Sequence, residues 1–97
     1  MNDSITVTPE SVLKLARGVK IREDTVRERT VLLAPERTVG LDETGIAILS
    51  RLDGEASLAA VAADLANAYE APKDVILTDA TVFLQDLADR RFLENNA

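Results

Sequence analysis

The sequence predicts a small α+β domain in which three short strands precede three helices, and three observations carry that expectation. In the first half, Val19 and Ile21 alternate with Lys20 and Arg22, the period of a half-buried strand. In the second half, Leu58, Val61, Ala62, Leu65 and Tyr69 recur every third or fourth position and draw one apolar stripe along a helix. With 97 residues and no Cys, one hydrophobic core rather than a disulfide framework must hold the chain.

Each element follows in order. The strand at Val19–Arg22 is joined by a second run from Val26 to Ala34, which starts with the same alternation and turns continuously apolar at Val31, Leu32 and Leu33. A strand greasy on both faces needs cover on both. Pro35-Glu36-Arg37 breaks the run as a turn, because Pro fixes its backbone and cannot donate to a ladder. Thr38–Leu41 then forms a brief third strand with Val39 and Leu41 on one side. Asp42 is placed to cap a helix reaching Leu52, ended by Asp53-Gly54. Ser57 caps the second helix, and Pro72 suits the first turn of a third that runs to about Arg90. Arg91 to Glu94 leaves it as an extended tail, a candidate last strand.

The third helix carries more than a core stripe. At about 100° per residue, Ile76, Ala80, Phe83, Leu84 and Leu87 share the core face, and Thr78, Thr81, Gln85 and Asp89 are expected to face water. Val75, Asp79, Val82 and Asp86 form a second strip, displaced by roughly a quarter turn. Two exposed valines there border two carboxylates.

Composition narrows the chemistry. A chain that is 46% hydrophobic and 29% charged is globular rather than disordered, and it is too short for a deep enclosed active site. Without His or Cys, Ser-His and Cys-His nucleophiles, zinc sites and haem ligation drop out. Gly40-Leu41-Asp42-Glu43-Thr44-Gly45 has the glycine spacing of a P-loop, but Ile46 stands where a Lys must reach phosphate. Gly45 is better read as a close-packing site. Asp53-Gly54-Glu55 lacks calcium-loop spacing. No catalytic residue, metal or cofactor is assigned, and an enzyme using carboxylates alone has no feature in its favour. No basic n-region opens the chain and no run approaches the roughly 18 apolar residues of a membrane span, so a cytoplasmic protein without a membrane partner is expected.

Charge placement bears on partners. Residues 1–40 carry a net +1 and residues 41–97 a net −7. Three strands with three helices suggest a winged-helix-like domain whose third helix would enter a DNA groove, yet from Lys73 to Asp89 that helix offers one Lys against Asp74, Asp79, Asp86 and Asp89. Duplex binding needs several cations facing phosphates, so nucleic acid is not the expected partner. What remains is an edge. If Thr38–Leu41 ends the sheet, its free main-chain groups are a template for an added strand, and Gly40 leaves the backbone uncovered. The Val75/Val82 strip would wall the other side of the groove. Val39→Pro should weaken such pairing if the Val39 N–H is the one engaged.

The stretch Val31-Leu32-Leu33-Ala34-Pro35-Glu36-Arg37-Thr38-Val39-Gly40-Leu41-Asp42-Glu43-Thr44-Gly45, continued by Ile46-Ala47-Ile48-Leu49 and Leu52-Asp53-Gly54, resembles the pyrroloquinoline quinone (PQQ) biosynthesis protein D family. Asp74-Val75, Phe83-Leu84, Leu87 and Phe92-Leu93 fit the same family, over about residues 9 to 94. The resemblance implies a non-catalytic peptide chaperone, a recognition element of ribosomal peptide modification with a winged-helix-like fold. Such a protein holds a precursor peptide as an added strand and presents it to a radical S-adenosylmethionine enzyme, which crosslinks a Glu and a Tyr of the peptide on the way to PQQ. Carried over, the peptide-binding residues are Arg37, Thr38, Val39, Gly40 and Leu41 on the strand and Val75, Asp79, Val82 and Asp86 on the helix. Two departures, Gly40 where a Lys often stands and Arg91 where a small residue often stands, leave a related modification pathway open. The whole chain, 1–97, is then one peptide-recognition domain with residues 1–8 expected to be flexible, and both a monomer and a homodimer are compatible with it.

Overall fold

The computed structural model describes residues 5–96. Eight elements follow one another: β1 (Leu13–Leu15), β2 (Lys20–Asp24), β3 (Arg29–Ala34), β4 (Arg37–Leu41), α1 (Glu43–Leu49), α2 (Leu58–Tyr69), α3 (Lys73–Asp89) and β5 (Leu93–Asn95). The chain is thus a small α+β domain with strands followed by three helices, as the periodicities predict. β2, β3 and β4 form an antiparallel sheet in that order, and β1 pairs with β5 in a separate two-stranded ribbon.

The long strand predicted at Val26–Ala34 is shorter than expected. Asp24 Oδ1 accepts the amides of Val26 and Arg27 at 3.2 and 3.3 Å, which bends the chain into a turn. Glu28 then adopts a left-handed φ of 52°. Val26 ends up 91% exposed at the hairpin tip, so its alternation with the strand residues is coincidental. β1 is absent from the sequence reading because three residues show no period, and its partner lies some 80 positions away. The turn after β3 is Pro35-Glu36 alone, and Arg37 belongs to β4.

Capping follows chemistry. Asp42 Oδ1 accepts the Gly45 amide at 2.7 Å, and Ser57 Oγ accepts that of Ala60 at 3.2 Å, each satisfying a donor that the helix start leaves free. α1 stops at Ser50 rather than Leu52, where the Ser50 hydroxyl donates back to the Ile46 carbonyl at 2.6 Å. Asp53 organises the following loop: the amides of Ala56 and Glu55 donate to its carboxylate and hold it below the usual carboxylate range. Gly45 is a close-packing site, since a Cβ there would lie 3.1 Å from Phe83 Cζ.

The core lies where the sheet, the ribbon and all three helices meet. Leu32, Leu49, Leu58, Leu84, Leu87 and Phe92 are fully buried, each contributing roughly 1.5–3 kcal/mol of burial. Val31 is buried on the opposite face of β3 from Leu32, as the doubly apolar run requires. Gln85 departs from expectation. Instead of facing water it donates to the Ile5 carbonyl at 2.7 Å and accepts the Val7 amide at 2.8 Å. It thereby pins an extended stretch whose Val7 side chain enters the core. Residues 5–8 of the stretch expected to be flexible are seated in this way, and residues 1–4 lie outside the described residues.

Candidate functional site

Three strands leave the sheet two edges, β2 and β4. The two-residue turn makes Ala34 and Arg37 the pair that closes the hairpin. In an antiparallel ladder alternate pairs exchange both main-chain bonds, so Ala34–Arg37, Leu32–Val39 and Thr30–Leu41 are the bonded pairs. Thr38 and Gly40 therefore point their N–H and C=O groups away from β3. This corrects the expectation for Val39, whose amide is engaged with Leu32 inside the sheet. Proline there would break the fold's own ladder, whereas at Thr38 or Gly40 it removes an outward donor.

Among the described residues β4 has one strand neighbour, β3, and the C-terminal segment pairs with β1 instead of closing this edge. Val39 and Leu41 turn inward and pack against the core. Thr38 and Gly40 are exposed, and a Cβ on Gly40 would meet nothing closer than Arg29 Nη1 at 3.7 Å. Gly40 is open on the monomer, with no steric demand for glycine.

Two tethers hold β4 in place relative to α3. At its start, the Arg37 guanidinium lies 5.1 Å from the centre of the Phe92 ring and donates through Nη2 to the Arg90 carbonyl at 3.0 Å. At its end the chain passes into α1, where Gly45 packs on Phe83 of α3. Arg37, expected to take part in peptide binding, thus has its side chain occupied as a tether.

On α3, Val75 is 52% and Val82 69% exposed, far more than apolar residues on a core-facing helix stripe. Asp79 and Asp86 lie on the same strip and are exposed. Asp86 faces Arg90 Nη2 at 3.5 Å, a surface pair contributing little. The strip read from the sequence is therefore present as surface. Its N-terminal half, Val75 and Asp79, also borders an open cleft of 740 Å³ lined by Glu43, Thr44, Ile46, Ala47 and Tyr69 among others.

That cleft was not expected from the sequence. α1 has 7 residues against 17 in α3, about 10 Å against 25 Å at 1.5 Å per residue, so it cannot cover the whole of its neighbour. The signal was Tyr69, last on the α2 stripe and 62% exposed. Among the described residues no group of three or more Asp, Glu, His or Cys is placed to hold a metal, and no helix is long and apolar enough to cross a membrane.

These features define the class: a small α+β domain whose exposed sheet edge is tethered to a helix with surplus apolar surface. Comparisons with known proteins agree on the family. Residues 29–93 match the model of the coenzyme PQQ synthesis protein D family. A relative from Rhizobium meliloti named PqqA binding protein is 48% identical over 92 residues, covering 95% of this chain and 94% of the relative. The solution structure of the PqqD truncation of Methylobacterium extorquens PqqCD, described as a functional stand-alone recognition element for ribosomally synthesized and post-translationally modified peptides, superposes with a TM-score of 0.80. It is 39% identical and covers 92% of this chain and 95% of that one. The crystal structure of PqqD from Xanthomonas campestris gives a TM-score of 0.59 at 37% identity, covering 92% of this chain and 99% of that one. The chain belongs to the coenzyme PQQ synthesis protein D family.

Proposed function

We propose that this chain is a non-catalytic peptide chaperone of PQQ synthesis. It takes up a PqqA-type precursor peptide as an added strand on β4 and presents it to a radical S-adenosylmethionine enzyme in the cytoplasm. The observation that carries this reading is the pair of outward main-chain units at Thr38 and Gly40, on an edge that no other described segment covers. Main-chain pairing supplies affinity without depending on sequence, and side chains alternating along the guest strand supply selectivity. Val82 and Val75 give those side chains apolar surface to cover, and Val39, Leu41 and Arg37 support the edge from below. The relative named for PqqA binding and the solved recognition element support the same partner class.

The order of strands and helices supports a winged-helix-like description, and a DNA-binding role would require cations on α3. That helix instead exposes Asp74, Asp79, Asp86 and Asp89, which repel phosphate. Isothermal titration of the precursor should give binding with a negative heat-capacity change. Binding should weaken in Thr38→Pro, while far-UV circular dichroism stays unchanged. Full affinity in that variant overturns strand addition, and binding of a different modified-peptide precursor in preference to the PqqA type reassigns the pathway.

A further inference from the structure

The open cleft between α1, the end of α2 and the start of α3 is not required for strand pairing, and its lining has a definite character. Ile46, Ala47, Tyr69, Val75 and Ile76 supply apolar walls, and its charged residues are Glu43 and Asp79, both acids. Its 740 Å³ falls within the roughly 300–1,000 Å³ of ligand-binding pockets. Position decides what reaches it. Glu43 and Thr44 follow directly on the last residues of β4, and Val75 and Asp79 belong to the exposed strip of α3. The cleft thus adjoins both the end of β4 and the N-terminal half of the α3 strip.

We propose that the cleft is a specificity subsite for the precursor peptide. It takes one bulky apolar side chain from the stretch adjoining the strand-paired segment, with a Lys or Arg beside it in the peptide facing Glu43 and Asp79. The proposal rests on strand addition at β4 and adds to it the site that reads sequence. Backbone pairing alone accepts any extended segment, so discrimination must come from pockets of this kind. Tyr69 is the anchor. It is exposed before binding, its ring can cover a guest side chain at low entropic cost, and its hydroxyl can stay in water.

The test titrates the intact precursor, and single alanine replacements of its apolar residues, against the unaltered chain, Tyr69→Ala and Thr38→Pro. Tyr69→Ala should weaken the precursor about five- to tenfold, the range for removing part of an apolar contact. One peptide position should cost a similar factor in the unaltered chain and almost nothing in Tyr69→Ala. Glu43→Gln should weaken the same peptide about twofold, as expected for a rim charge, and the effect should vanish when the neighbouring Lys or Arg of the peptide is made Gln. Unchanged binding by Tyr69→Ala with loss in Thr38→Pro overturns the subsite and leaves strand addition standing. Weakening by Tyr69→Ala without a coupled peptide position also overturns it. Unchanged binding by Thr38→Pro overturns strand addition itself.

Discussion

The two edges of the three-stranded sheet have the same backbone and opposite surroundings. β2 reads Lys20-Ile21-Arg22-Glu23-Asp24. Its outward main-chain units fall at Ile21 and Glu23 by the same alternation that places those of β4 at Thr38 and Gly40. Four of its five side chains are charged, the usual device against unwanted pairing. β4 reads Arg37-Thr38-Val39-Gly40-Leu41, and its single charge is turned onto Phe92 and the Arg90 carbonyl. The sheet guards one edge with charged side chains and leaves the other bare, so composition distinguishes the two edges, and the proposed guest strand would take the bare one.

That contrast can be broken most strongly by proline. Thr38→Pro removes an outward donor from the bare edge without costing an internal ladder bond, and precursor affinity should fall by about tenfold or more, roughly 1.4 kcal/mol per factor of ten. Glu23→Pro makes the same change on the guarded edge and should leave affinity unaltered by titration calorimetry. Val82→Asp places a third carboxylate on the helix strip. Affinity should drop about fivefold, with stability to urea within the ~0.5 kcal/mol usual for exposed sites. Unguarding β2 with Arg22→Val and Glu23→Val should create a second bare edge, seen as weak concentration-dependent self-association in sedimentation that the unaltered chain lacks. The smallest effect on the bare edge belongs to Gly40→Ala. With nothing closer than Arg29 Nη1 at 3.7 Å, its Cβ fits the monomer, and precursor affinity should change by no more than about twofold if the guest pairs through main chain.

Much of this was legible in the residues. Alternation at Val19–Arg22, the stripe from Leu58 to Leu65, the caps Asp42 and Ser57 and the exposed valines of α3 are local signals, and local signals survive into the fold. The failures were non-local or cooperative. β1 is three residues long and exists because Leu13 and Leu15 sit opposite Asn95 and Leu93, a pairing no short window contains, whereas its partner β5 overlaps the last strand expected at Arg91 to Glu94. The Val26 turn is set by one carboxylate accepting two amides, which overrides an apparent period. Gln85 looked like a surface residue until an extended segment from the other end of the chain came to lie on it. At the candidate site, the strand and strip were readable one by one. The engagement of Val39 with β3, the use of Arg37 as a tether and the cleft beside Tyr69 depended on register and on unequal helix lengths.

Amide hydrogen exchange read residue by residue by NMR, with and without the precursor peptide, tests the edge most directly. Occupancy of β4 should slow exchange at Thr38 and Gly40 and leave Ile21 and Glu23 as they were. Tight binding with Thr38 and Gly40 exchanging at their free rates, or with slowing at Glu23 instead, would contradict it.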